Sequence, residues 1–167
     1  MGLFSKDIKT MDDLFVHQLK DVYYAEKRII GALEEMIGKA SSGELRDAFE
    51  RHMVQTRSHV SRLEQVFQQH GVEPETTKCP AIDGIIDEAD DVSSEVEDKR
   101  VLDAALIAAA QAVEHYEIAR YGTLVAWANT LGRADCASIL QQTLDEEKAT
   151  DEALSALAEL HINATAR

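Results

Sequence analysis

The sequence predicts an all-α fold: four long helices paired into two antiparallel hairpins and joined by one long crossover. Three observations predict it. Apolar residues make up 45% of the 167-residue chain and aromatics only 5%, with Ala, Leu, Glu, Lys and Gln abundant, which is helix material. The two prolines, Pro74 and Pro80, lie close together and leave everything else free to be helical. Long stretches repeat apolar residues at steps of three and four, the spacing of one helical face.

The first helix is expected over about 11–38. Thr10, with Asp13 three residues on, has the form of a capping box, and Asp12 and Asp13 suit a first turn. Phe15, Leu19, Val22, Ile29, Leu33 and Met36 make its stripe, and Gly38 with Ser41-Ser42-Gly43 ends it. The second spans about 44–70 through Leu45, Phe49, Leu63, Val66 and Phe67 and stops at Gly71. Residues 71–98 change character: both prolines, an apolar patch, then acids. They read as a crossover carrying a short helix near 82–95. The third long helix covers about 99–131, its start almost wholly apolar and therefore deeply buried. The fourth covers about 134–160.

Short turns between the first and second and between the third and fourth long helices, with a long connection between the second and third, are the ferritin-like connectivity, on a single domain of 1–167. A net charge of −14 leaves no basic surplus for nucleic acid or an anionic membrane surface. No run approaches a membrane span, and Met1–Lys6 lacks the apolar stretch of a leader. Cys79 and Cys136 are too few for a disulfide framework or a zinc site and read as reduced thiols in a cytoplasmic protein.

The informative residues interrupt the apolar stripes. Position 26 on the first helix is glutamate. Glu114 and Glu117 break the third helix's inward line, and Glu147 and Asp151 break the fourth's. Residues three or four apart share a helical face, so each pair can converge on one point. On the second helix, His52, Gln55 and His59 share a face with Phe49 and Leu63. Glu26 and Gln55 are 29 residues apart, and Glu117 and Glu147 are 30 apart, which sets all four at one height.

Five acids cannot stay charged and unpaired in a dry core. That costs on the order of tens of kcal/mol, against ~5–15 kcal/mol of stability for a domain. Internal cations are scarce, Arg120 being one candidate. Hard metals prefer oxygen ligands, and mixed carboxylate–imidazole sites suit iron or manganese. His52 and His59 read either as ligands or as buried imidazoles bonded to an acid, whereas His115 reads as surface. Tyr23, Tyr24, Tyr116 and Tyr121 read as hydrogen-bond donors to ligands or as packing.

The stretches Leu19–Lys27, Asp103–Gln111, Val113–Ala119 and Thr143–Lys148, with Lys78-Cys79, Gly84 and Glu88-Ala89 in the crossover, closely resemble the YciF-type bacterial stress-protein family. The resemblance spans nearly the whole chain. It implies a rubrerythrin-like di-iron centre, a homodimer and a link to stress, with no settled reaction. It puts Glu26, Glu114, Glu117, Glu147 and Asp151 in the metal shell. Relatives usually carry a glutamate where this chain has Gln55, which removes a bridging charge; His52 or His59 can take its place. Five carboxylates set −5 against +4 for two divalent or +6 for two trivalent ions. The expected activity is oxygen or peroxide chemistry at two iron ions, manganese being possible, with an unidentified electron donor. The rivals are a mini-ferritin storing iron, a manganese catalase-like protein, and a non-catalytic bundle with a structural metal.

Overall fold

In a computed structural model, which describes residues 7–167, the chain is helical almost throughout. Met1–Lys6, on which the expectation about a leader rests, lie outside the described residues. The elements are α1 (Met11–Lys39), α2 (Gly43–His70), α3 (Pro80–Glu95), α4 (Lys99–Thr130) and α5 (Ala134–Leu157). A π-turn (Ala158–Ile162) and a last short turn, α6 (Asn163–Thr165), carry the fourth long rod past its expected end. Among the described residues no helix is long and apolar enough to cross a membrane.

Local chemistry sets the ends. The Thr10 hydroxyl accepts from Asp13 N (3.0 Å), and the Asp13 carboxylate accepts from Thr10 N (2.9 Å), which completes the box. Gly71 and Gly132 close α2 and the turn after α4 at φ +80° and +72°, a left-handed conformation that favours glycine. Pro80 occupies the first turn of α3, where its missing N–H costs nothing. Gly38 lies inside the last turn of α1 rather than ending it.

Packing follows the predicted pairing: α1 lies against α2 and α4 against α5. The hairpins meet along α1–α4 and α2–α5, with α3 laid across α4 and α1. The crossover is pinned to α1, where Tyr24 O–H and Arg28 Nε both donate to Asp83 (3.0 Å each) and Lys20 pairs with Glu75 (2.6 Å).

The core is divided. One apolar cluster gathers Ile29, Leu33, Phe49, Ile82, Leu106 and Leu154; the other gathers Phe15, Leu19, Phe67, Tyr121, Leu124 and Leu140. On each long helix a buried polar residue lies at or just beside the change from one cluster to the other. These are Glu26 on α1, His52, Thr56 and His59 on α2, Glu114 and Glu117 on α4, and Glu147 on α5. A slab of charge thus crosses the bundle near mid-length.

Another buried acid has a structural role. Asp103, near the start of α4, accepts from Ser41 N (2.8 Å), Ser42 N (2.9 Å) and Ser41 Oγ (2.7 Å), so it fixes the α1–α2 turn. Replacing it with alanine strands these donors. We expect Asp103→Ala to lower the unfolding free energy by about 3 kcal/mol, and Asp103→Asn by clearly less. A fall in the urea midpoint at constant m-value would show it, and a parent-like midpoint for Asp103→Ala would contradict it.

Candidate metal centre

Glu26, Glu114, Glu117 and Glu147 are each at most 1% exposed, and they converge with His52 and His59. The side chains form two overlapping groups. Ligand-type atoms of His52, Glu114, Glu117 and Glu147 lie within 4.8 Å of one another, and so do those of Glu26, His59 and Glu147. Glu147 belongs to both and is placed to bridge.

His52 Nε2 lies 3.0 Å from Glu114 Oε1 and 3.8 Å from Glu147 Oε2. His59 Nδ1 lies 2.9 Å from Glu147 Oε1 and 3.5 Å from Glu26 Oε1. Close as they are, these approaches lack hydrogen-bond alignment, and both nitrogens count as unpartnered. The outward nitrogens are held differently. Thr150 donates its hydroxyl to the Glu146 carbonyl (3.0 Å), which leaves Thr150 Oγ1 to accept from His52 Nδ1 at 3.3 Å. His59 Nε2 meets Glu146 Oε2 at 2.8 Å, and Arg62 grips both Glu146 oxygens at 2.7 and 2.8 Å. Each ring therefore places its N–H outward and, when neutral, turns a bare nitrogen inward. That is how metal-binding histidines are oriented.

Burial and mutual repulsion govern the charges. Burial, then the neighbouring charges of Glu147, Glu26 and Glu114, pushes the Glu117 carboxyl well above its ordinary range. Burial raises Glu114 to about 8 despite the opposing pull of His52, and raises Glu26 despite His59. Burial disfavours charge on Glu147 too, but His59 and His52 outweigh it, and its carboxyl ends below the ordinary value. The imidazoles mirror this: burial disfavours their cations, yet the carboxylates lift His52 to about 9 and His59 to about 11. Tyr121, wholly buried, donates its phenol to Glu26.

The predicted acids divide. Glu26, Glu114, Glu117 and Glu147 come together, but Asp151 does not. It sits one turn, about 6 Å, further along α5. There it is half-buried and held by Gln111 Nε2 (3.0 Å) and His115 Nε2 (3.1 Å). Gln55 lies at the right height but is turned roughly 60° from His52. It is half-buried and lines a cleft rather than joining the groups. α2 contributes His52 and His59 instead. Arg120 is not the internal cation: it lies over Tyr116 and reaches Gln18 at 3.4 Å. Of the four tyrosines, Tyr23 donates to Glu64, Tyr24 to Asp83 and Tyr116 to Asp21, so only Tyr121 serves the cluster. Periodicity and spacing do not point to the Arg62–Glu146 support or to Thr150. The run His52, Thr56, His59, Leu63 at steps of four, three and four is the signal that marks α2's true inner face.

Residues 10–167 match the family described as "Domain of unknown function (DUF892)". The chain belongs to the DUF892 family. Among its relatives is Protein YciF of Escherichia coli (strain K12), 44% identical over 158 residues, 94% of this chain and 95% of that protein. The solved structure of the E. coli stress protein YciF covers 93% of this chain and 99% of its own, with a TM-score of 0.89. YcfI of Rhodopseudomonas palustris is 51% identical over 92% of this chain and 98% of its own, with a TM-score of 0.90. A ferritin-like, diiron-carboxylate protein from Bacillus anthracis str. Ames aligns at a TM-score of 0.69 and 18% identity, over 90% of this chain and 99% of that one. That last likeness shows the ferritin-like fold alone. The DUF892 bundle here departs from the usual ferritin-like ligand pattern, Glu-x-x-His on two helices. It has Glu114-x-x-Glu117 on α4 and both imidazoles on α2. The buried His/Glu cluster is compatible with metal binding.

Two outcomes follow from the cluster's charge. Glu114 and His52 keep protons up to about 8 and 9, so a metal must displace them. Affinity for Mn2+ should therefore rise from about pH 6 to 8, with proton release seen as buffer-dependent calorimetric heat. Heats independent of the buffer would contradict this. Glu117→Leu removes a buried carboxyl whose two oxygens have no partner. The metal-free variant should be more stable than the parent by about 1–3 kcal/mol and lose any metal-dependent gain in Tm. A destabilised metal-free variant would count against a cluster built for cations.

Proposed function

We propose that this protein binds two iron ions at the Glu147-bridged cluster and uses them in redox chemistry with peroxide or dioxygen. One observation carries the reading. Among the described residues, every buried side-chain nitrogen or oxygen without a hydrogen-bond partner belongs to Glu26, His52, His59, Glu114, Glu117 or Glu147. Unpaired buried polar atoms are costly and rare, and here they all face one point. Cations supply the missing partner.

The donor set fits. Carboxylates with two imidazoles suit iron or manganese. With Asp151 outside, the arithmetic changes from −5 to −4: four carboxylates (Glu26, Glu114, Glu117, Glu147) balance two divalent ions, +4. His52, Glu114 and Glu117 would hold one ion, Glu26 and His59 the other, with Glu147 shared. The chemistry supplied by such a pair is two-electron reduction of the oxidant, followed by recharging from an external electron donor. The chain's own residues do the positioning. Glu146, clamped by Arg62, fixes the His59 ring; Thr150 fixes His52; Tyr121 orients Glu26. The apolar clusters above and below the layer close it off along the bundle axis.

The E. coli relative is a stress protein, which suits defence against oxidants. A homodimer and a cytoplasmic setting belong to the same reading, the latter in keeping with two free buried thiols, Cys79 and Cys136.

Metal analysis beside a Glu26→Ala/Glu147→Ala variant tests the centre. About two metals per chain should be found in the parent and a large loss in the variant. Equal content would sink the reading. Ferrous protein that is not oxidised by hydrogen peroxide would leave the metal structural and remove the redox part.

A further inference from the structure

Two openings lead toward the cluster, and both end on His52 and Glu114. The first, between α1, α3 and α4, is walled by Ile29, Leu33, Met36, Ile86 and Leu106. It holds only about 30 Å3, a water or two. Lys39, at its edge, is bonded to Asp90 (3.2 Å) and Ser93 (3.1 Å) and straps α1 to α3. The second, among α2, α4 and α5, holds about 190 Å3, enough for a small solute with several waters.

Small side chains make the second cleft. Ala48 on α2 and Ala149 and Ala153 on α5 line it, where leucines would fill the space. Its polar groups are selective. Arg51 and Gln55 come from α2 and Thr150 from α5, and among the described residues the only carboxylate lining it is Glu114, a member of the cluster. Such a lining offers an entering cation no carboxylate before Glu114 itself. It suits a small ligand, neutral or singly negative, that both donates and accepts hydrogen bonds. Gln55 offers both functions, and no group among the described residues engages its amide. Thr150 is already committed to His52 and Glu146.

We propose that the α2–α5 cleft is the oxidant-binding site, in which Gln55 and Arg51 dock hydrogen peroxide against the His52–Glu114 side of the cluster. This rests on the redox reading above and gives it a substrate class and a direction of approach. Gln55 thereby acquires a purpose. At the mouth of the cleft a neutral amide binds a neutral peroxide, where a carboxylate would repel its anion.

The experiment uses the whole chain, with Ala149→Leu/Ala153→Leu to fill the cleft, Gln55→Leu to remove the amide, and Ala32→Leu to narrow the apolar opening. All three place a good helix former on a helix and leave the cluster's own side chains in place. Sodium azide, a small anion with terminal acceptors, is titrated against metal-free protein while the ring 15N resonances of His52 are followed. The parent should show a saturable shift. Filling the cleft should weaken azide binding by about tenfold or more, Gln55→Leu should weaken it by less, and Ala32→Leu should leave it unchanged. In iron-loaded protein, peroxide consumption should fall in the same order at equal metal content. No azide response in the parent, an undiminished response in the filled variant, or a loss confined to Ala32→Leu would each overturn the proposal. The azide arm needs no metal, so it decides the cleft even if metal analysis removes the iron centre.

Discussion

Bringing Glu26, Glu114, Glu117 and Glu147 together in a dry layer costs more free energy than a domain of this size has to spare, unless positive charge joins them. The fold supplies part of that charge through His52 and His59, both held within 3.0 Å of a carboxylate oxygen. Two imidazolium ions against four carboxylates still leave a deficit of two. The rest must come from protons or metal, so the bundle is built to be completed by cations. The other features of the interior follow from that need. The apolar core is split in two, His52 and His59 each have an outer partner to fix the ring, and Tyr121 turns its phenol out of the apolar cluster onto Glu26.

The surrounding scaffold is rigid for ordinary reasons. Capped helices of 24 to 32 residues pack as two hairpins, with tight turns at their ends. The crossover is tied to α1 through Asp83 and Glu75. Rigid rods allow groups far apart in sequence to be held at one height without help from loops. The support extends outward through Glu146 to Arg62, whose two-point grip leaves little freedom for the His59 ring.

Much of this was legible in the sequence. Thr10 with Asp13 and Gly71 mark ends that the structure keeps, because capping is local chemistry. The height of the polar layer was legible too, because axial rise depends only on residue count in paired rods. Angular position was not. Gln55 has the right height but the wrong azimuth, and Asp151 repeats the four-residue step from Glu147 yet faces Gln111 and His115. A residue's azimuth depends on how each rod is rotated against its neighbours, and a single stripe fixes that only to within a side chain or so. The histidines lay open to two readings for the same reason. Glu146 was hidden because it sits beside the more conspicuous Glu147, and its partner Arg62 is 84 positions away.

The divided core has a mechanical consequence. Neither apolar half is an independent body, since every long rod passes through both, and the slab between them is where buried carboxylates from different rods repel one another. An ion bound there would act as a rivet through the waist of the bundle. It would fasten the amino-terminal hairpin, through Glu26 and the two imidazoles, to the carboxy-terminal hairpin, through Glu114, Glu117 and Glu147. The crossover is the covalent tie between these hairpins, and it is fastened along α1 and α4 rather than through the slab itself. Ions held there would then set how far the two halves of the molecule can part.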